Sequence, residues 1–296
     1  MSDRPDRRNA PLLSLIVCTR NRSARLDAFF RTVAGMRAHA SWELVIVNNG
    51  SSDDTGARLQ SLARSLETPV TIVNEPRVGL GRARNAGVAA ARGALLAFTD
   101  DDCYPAIDYV DSVVDAFADP ERGFIGGRIL LYDAQDHPIT IRVDSAPIPI
   151  PPRSVVPTGL VQGANMAFRR EVLARIGGFD DALGPGTPFC NDDVDAVARA
   201  SAAGFAGCYV PEPVVHHHHG RRDPAEIAAL WRSYDHGRGA YYAKCIFDLP
   251  VRWQVARYWW QSIGVEKTGA TLRELEGALD YTARRLTRRL GRAAQP

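Results

Sequence analysis

"GLGRARNAGVAAARGALLAFTDDD", residues 79–102, reads as a helix, "GRARNAGVAAARG", running into the strand "ALLAFT" and then three aspartates. The strand is an unbroken apolar run, which is the mark of a strand buried on both faces rather than half exposed. The same alternation precedes it. "LLSLIVCT" (12–19) is a buried strand, followed by "SARLDAFFRTVAGMRA" with Leu26, Phe29, Phe30, Val33 and Met36 at helical spacing. "ELVIVN" (43–48) is a second strand, "SSDDTGARLQSLARSLE" a capped helix with Leu59, Leu62 and Leu66 on one face, and "VTIVN" (70–74) a third strand. Buried strands alternating with amphipathic helices specify an α/β fold, a Rossmann-like, mostly parallel sheet flanked by helices.

Beyond residue 102 the alternation loosens. "GFIGGRILLY" (123–132) reads as a strand and 133–160 as a Pro-rich connection. "GANMAFRREVLARIGGF" returns to strand and helix, "NDDVDAVARASAAG" is a helix, and "FAGCYVPEPVV" a strand. A long helix opens at Asp223–Pro224, an N-cap followed by proline. The chain divides into a flexible N-terminal segment (1–10), one α/β domain (11–222) and a C-terminal helical extension (223–296).

At 296 residues and 45% hydrophobic content the chain can bury a sizeable core. A net charge of +2, from 36 basic and 34 acidic side chains, gives no case for nucleic acid as a partner. Five scattered cysteines without CxxC spacing point to a reducing compartment. No secretory leader and no run of about 18 apolar residues is present, so the expectation is a cytoplasmic protein.

Ligands bind beyond the carboxyl ends of strands in such sheets. Three polar sets converge there: "TRNR" after the first strand, "NNGSSDD" after the second and "DDD" after the fourth. Each alone is ordinary turn chemistry; together they mark one edge as a site. Asp100 and Asp102 can point to one side and offer hard oxygen ligands to Mn²⁺ or Mg²⁺. Asp192 and Asp193 open a helix, where a carboxylate can cap free N–H groups or serve as a general base. Further on stands "PVVHHHHGRR" (213–222). If the strand continues into it, His217 and His219 share one face and His216 and His218 the other.

"SLIVCTRNR", "ELVIVNNGSSDDT", the 79–102 stretch, "GANMAFRRE" and "NDDVDAVARA" resemble, in order and spacing, family 2 glycosyltransferases of the GT-A fold. The resemblance spans roughly residues 12–220. It implies an inverting transfer of sugar from a nucleotide-diphosphate sugar (UDP-, dTDP- or GDP-linked) to an acceptor hydroxyl, with a divalent cation at an Asp-x-Asp motif. It assigns donor binding to Thr19, Asn21, Arg22, Asn48, Asn49, Gly50, Arg84, Asn85, Asp100, Asp101, Gly163, Ala164 and Asn165. The metal falls to Asp102, Asp100 and His217, the catalytic base to Asp193, and a supporting role to Asp192. His216 and His218 then read as a polar rim. The family commonly carries an aspartate facing the nucleobase in the pair occupied here by Asn48 and Asn49, which leaves the identity of the nucleobase unassigned.

Two rivals stand beside this reading. A sugar-phosphate nucleotidyltransferase would carry a glycine-rich loop after its first strand, and "CTRNRSARL" has no glycine. A non-catalytic nucleotide- or carbohydrate-binding module would not need Asp100, Asp102 and Asp193 together. The extension has no family motif. The tyrosines and tryptophan of "WRSYDHGRGAYYAK" read as core. "VRWQVARYWWQSIG" interleaves Trp253, Tyr258, Trp259 and Trp260 with Arg252 and Arg257 and suits an anionic lipid surface, a homodimer contact or a cap over the acceptor. The acceptor is a glycan, a lipid-linked molecule or a small molecule.

Overall fold

A computed structural model of the chain describes residues 10–263 and 268–293. The expected flexible segment 1–10 therefore lies, apart from Ala10, outside the described residues. Strands β1 (Leu13–Thr19), β2 (Trp42–Asn49), β3 (Val70–Glu75) and β4 (Leu95–Asp100) alternate with helices α1 (Leu26–Gly35), α2 (Thr55–Ala63) and α3 (Leu80–Ala90). The four strands pair in parallel in the order β3-β2-β1-β4. There follow β5 (Cys103–Pro105), α4 (Tyr109–Ala116), β6 (Arg122–Leu131), β7 (Ile148–Ile150), β8 (Met166–Arg169), α5 (Arg170–Ile176), α6 (Asp192–Ala202) and β9 (Ala206–His217). Three helices close the described chain: α7 (Pro224–Asp248), α8 (Arg252–Ile263) and α9 (Thr268–Ala293). β8 lies antiparallel between β4 and β6, β9 runs parallel to β6, and the short β5 and β7 pair antiparallel with β9.

The apolar runs are continuous because each strand is covered on both faces. Leu13, Leu15 and Val17 of β1 enter one core with Phe29, Phe30 and Val33 of α1. Ile16 points the other way, into a second core with Phe98, Phe168 and Val197. Glu43 interrupts β2 without cost, since its buried carboxylate accepts from Ser14 Oγ (2.7 Å), Arg92 N (2.6 Å) and Arg92 Nε (2.8 Å).

The extension is packed against the α/β body. Tyr241, Tyr242 and Cys245 of α7 bury against Val194 and Ala198 of α6. Lys244, itself buried, reaches Asp195 of α6 (2.5 Å) and Asp180 of the preceding loop (2.6 Å). The aromatic run 253–260 splits in two. Trp259 stacks on Tyr242 (5.2 Å) and donates its indole N–H to Glu274 (2.7 Å), whereas Trp253 and Trp260 are 80% and 77% exposed. Among the described residues no helix is long and apolar enough to cross a membrane.

α7 and α9 cross at glycines. A methyl on Gly239 would overlap the Glu274 carbonyl, and one on Gly277 the His236 carbonyl. Alanine in a helix interior gains about 1 kcal/mol over glycine, but overpacking costs about 1–3 kcal/mol and a backbone oxygen cannot rotate away. Gly239→Ala should therefore lower the melting temperature. Gly35→Ala, with open space within 4 Å, should be neutral or stabilising. Calorimetry finding Gly239→Ala the more stable of the two would contradict the crossing.

Candidate active site

A cleft of about 730 Å³ opens beyond the carboxyl ends of β1 and β4. Parallel pairing places Cys18 opposite Asp100, so the loop after β1 meets the aspartate run. Asp101 turns inward and accepts from the Thr19 hydroxyl (2.5 Å), with Arg22 Nε 3.8 Å away. Burial pushes its carboxyl up to about 6, the Thr19 hydrogen bond drawing against it and Asp102 adding repulsion. Asp101 thus ties β1 to β4.

β5 brings the histidine run to the same place. Cys103 pairs with His217, and the Asp102 carbonyl accepts from His218 N (2.8 Å). His217 Nε2 then stands 3.6 Å from Asp102 Oδ1. On the other side of its ring, Nδ1 is 3.0 Å from Thr140 Oγ1, whose own proton goes to the Ile139 carbonyl (2.6 Å). Nδ1 must therefore be the donor, leaving the Nε2 lone pair facing a carboxylate. Two acceptors in that position are satisfied by a proton or a cation between them. With a proton in that position burial would still raise Asp102, but His217 and Arg22 outweigh it and hold the carboxyl below its ordinary value. Cys103 Sγ lies within 4.8 Å of both ligand atoms, yet burial pushes the thiol far up and it stays a neutral neighbour. A carboxylate oxygen and an oriented imidazole suit a divalent cation.

The other histidines have separate work. His218 packs beside Tyr132 (4.7 Å) and its Nδ1 is 3.3 Å from the Tyr104 hydroxyl, so it is half-buried rather than a free rim. His219 Nδ1 accepts from Arg221 N (2.9 Å) and Nε2 donates to the His137 carbonyl (3.0 Å), which fixes a neutral ring. Burial lowers its pKa, with His217 and Arg221 adding to the effect.

The opposite wall is the start of α6. Asp192 is buried and paired with Arg84, itself 4% exposed, and Arg84 Nη2 also lies 3.8 Å from Asp100. Burial pushes Asp192 up to about 6, opposed by Arg84 and reinforced by Asp193. Asp193 is more open. Its Oδ2 accepts from Gly163 N (2.6 Å), its Oδ1 from Val194 N (2.8 Å), and it lines the cleft. A methyl on Gly163 would overlap the Arg84 guanidinium, so only glycine lets Arg84 and Asp193 share this strip of backbone. Asp193 keeps lone pairs free to take a proton, whereas those of Asp192 are committed to Arg84.

Thr19, Arg22, Asn49, Arg84, Asp100, Asp101, Asp102, Gly163, Ala164, Asp192, Asp193 and His217 all line the cleft. Asn21, Asn48, Gly50, Asn85 and Asn165 are not among its lining residues. Asn21, Asn85 and Asn165 hold backbone instead, Asn21 Oδ1 accepting from Ser52 N (2.8 Å), while Asn48 donates to the Asn74 side chain (3.2 Å). Asn85 clasps Phe179 through both N and O (2.8 and 2.9 Å), and Asn165 donates to the Arg128 and Pro213 carbonyls (2.8 and 2.9 Å). Asn49, though in the wall, donates to Glu75 and Arg77 and accepts from Gly79 N. Thr140, Arg142, Gln162, Arg221 and Arg238 line the cleft without any sequence signal that singled them out, and Trp231 and Tyr234, expected in the core, line it too. Thr140 has φ +53° and Asn191 φ +74°, strained backbone of the kind that gathers at working sites.

Removing one partner of a buried ion pair costs about 3–5 kcal/mol. Arg84→Met should destabilise by that order at neutral pH and by less at pH 5. Without the cation the folded Asp192 carboxyl lies further above its unfolded value. The stability it permits is present below the unfolded value and lost as pH rises through the folded one. Melting curves showing the deficit growing toward low pH would contradict this.

The Glycosyl transferase family 2 model matches residues 14–177. Glycosyltransferase AglE of Haloferax volcanii is 24% identical over 212 residues, 69% of this chain and 68% of its own length. The pre-mycofactocin glycosyltransferase of Mycobacterium tuberculosis is 25% identical over 222 residues, 70% of this chain but only 43% of its own length. Among solved structures, mannosyltransferase PcManGT from Pyrobaculum calidifontis, in complex with GDP-Man and Mn²⁺, superposes with a TM-score of 0.61 at 19% identity, covering 95% of this chain and 85% of that one. S. aureus TarS 1–349 with UDP-GlcNAc gives 0.60 at 13% identity, over 80% and 67%. These likenesses show the GT-A fold. The matched residues carry β1 through β8 and the aspartate run that forms one wall of the cleft, and on that match the chain belongs to glycosyl transferase family 2.

Proposed function

We propose that the chain is an inverting, divalent-cation-dependent glycosyltransferase using a nucleoside-diphosphate sugar. The observation that carries the reading is the pairing of an Asp102–His217 acceptor pair on one wall with the more open Asp193 carboxylate on the other. The Mn²⁺ and GDP-Man of PcManGT and the UDP-GlcNAc of TarS support a donor of this class. Asp102 and His217 would hold the cation, which supplies charge for the departing diphosphate. Arg22 and Arg84 border the same region and add positive field. The acceptor oxygen forms its bond to the anomeric carbon as the bond to the diphosphate oxygen breaks. The hydroxyl proton passes to Asp193, the electron pair leaves with the nucleoside diphosphate, and a single displacement inverts the centre. Residues 11–222 form the transferase domain in this reading, with 223–296 as its helical extension.

The exposed face of α8 supports a second reading, peripheral contact with an anionic membrane. Trp253, Arg257 and Trp260 lie one or two turns apart and all are exposed.

Asp193→Asn should bind Mn²⁺ and nucleoside diphosphate as the parent does yet lose about 10²- to 10⁴-fold in turnover, because an amide cannot take the proton. Asp102→Asn should lose Mn²⁺-dependent nucleotide binding in calorimetry. Parental transfer by folded Asp193→Asn, or equal nucleotide affinity in Asp102→Asn, would remove that residue from its role. Replacing Trp253 and Trp260 by Ser should abolish sedimentation with phosphatidylglycerol vesicles. A parent that ignores such vesicles defeats the membrane reading, and loss of a concentration-dependent dimer in the same variant would assign the face to a second copy.

A further inference from the structure

The long helix α7 presents more than packing to the cleft. Trp231, Tyr234 and Arg238, spaced three and four apart, fall on one stripe of the helix and line the same cavity as Asp193. Trp231 is 46% exposed, and its ring meets Tyr234 edge to face at 5.9 Å. By contrast Tyr241 and Tyr242, two turns on, are buried in the core against α6. The stripe sits close to the base, since Cys190 Sγ, two residues before α6, lies 3.4 Å from the Ser233 carbonyl. A large aromatic face left open inside a cleft costs hydration free energy unless a ligand covers it.

Resting on the transferase reading, we propose that Trp231 and Tyr234 form the acceptor subsite and that the acceptor is sugar-terminated. A pyranose ring offers an apolar face of C–H groups to stack on Trp231 and an edge of hydroxyls to reach Asp193. The stripe is poorly suited to a lipid phosphate. Its cation, Arg238, is already engaged by Asp235 (3.0 Å) and by Glu274. The bound hydroxyl attacks the donor as described above, giving its proton to Asp193. The α7 helix of the extension is thereby the element that selects the acceptor.

The test uses the full chain with Mn²⁺ and whichever nucleoside-diphosphate sugar raises its melting temperature most. Methyl glycosides and disaccharides are offered as acceptors beside decyl phosphate as a lipid-phosphate probe, with product read by mass spectrometry. The parent should transfer to at least one glycoside in preference to decyl phosphate. Trp231→Ala should raise the acceptor KM about tenfold, the equivalent of about 1.4 kcal/mol, with the Kd for nucleoside diphosphate unchanged. Trp231→Phe should recover most of the loss, and Tyr234→Leu should shift KM in the same direction as Trp231→Ala. A parental acceptor KM in Trp231→Ala, a preference for decyl phosphate, or donor turnover without transfer to any glycoside would overturn the proposal. A parent that binds no nucleotide at all defeats the transferase reading instead, and this one with it.

Discussion

Everything in the cleft is arranged around one buried guanidinium. Arg84 leaves α3 and meets Asp192 at the start of α6, with Asp100 at the end of β4 within 3.8 Å. Gly163, just before β8, lies flat against it, and the same glycine's N–H binds Asp193. Four segments far apart in sequence are thus fastened at a single point. The physical need is plain, because a catalytic cleft with acidic residues on two walls would repel itself apart. A planar donor with five N–H groups can compensate carboxylates on both sides at once, which a lysine could not do in the same geometry. Asp192 is spent on this bond, and that is why Asp193 is the residue left open to the solvent side.

Helix α6 is held a second time, one turn further on. Asp195 is almost fully buried and receives both Lys244 of α7 and Arg199 of its own helix (2.8 Å). Burial draws the Lys244 ammonium down, but Asp195 and Asp180 outweigh it and keep it charged. α7 in turn is fixed to α9 through Asp235, which binds Arg273 at 2.7 Å, and through the crossing at Gly239 and Gly277. Among the described C-terminal helices α7 therefore packs on α6 and contributes Trp231, Tyr234 and Arg238 to the cleft, with α9 bound behind it.

How much of this could be read from the residues differs by element. The strands of the first hundred residues were legible because burial on both faces leaves unbroken apolar runs, and each lies within a residue or two of its expected span. The three-residue β5 and β7 are too short to carry a period, although β5 is what brings Asp102 to His217, whereas α4 does show one in Tyr109, Val110, Val113 and Ala116. Period-two geometry separated His217 and His219 from His216 and His218, but only tertiary contacts reveal that His219 is a latch. The asparagines misled for a physical reason. An amide that can face a ligand can equally clasp a backbone, and Asn85 and Asn165 do the latter. In α7 the aromatic residues looked uniform in sequence, while the fold sends Trp231 to the cleft and Tyr241 to the core.

In the function proposed above the two acidic walls divide the work, with the cation on one and the proton acceptor on the other. Diffraction at the manganese absorption edge, from crystals of the full chain grown with Mn²⁺ and a nucleoside diphosphate, tests this most directly. The expected result is an anomalous peak within bonding distance of Asp102 and His217, with the Arg84–Asp192 pair intact and Asp193 free of metal. A peak bound by Asp192 or Asp193, with none at Asp102, would contradict it.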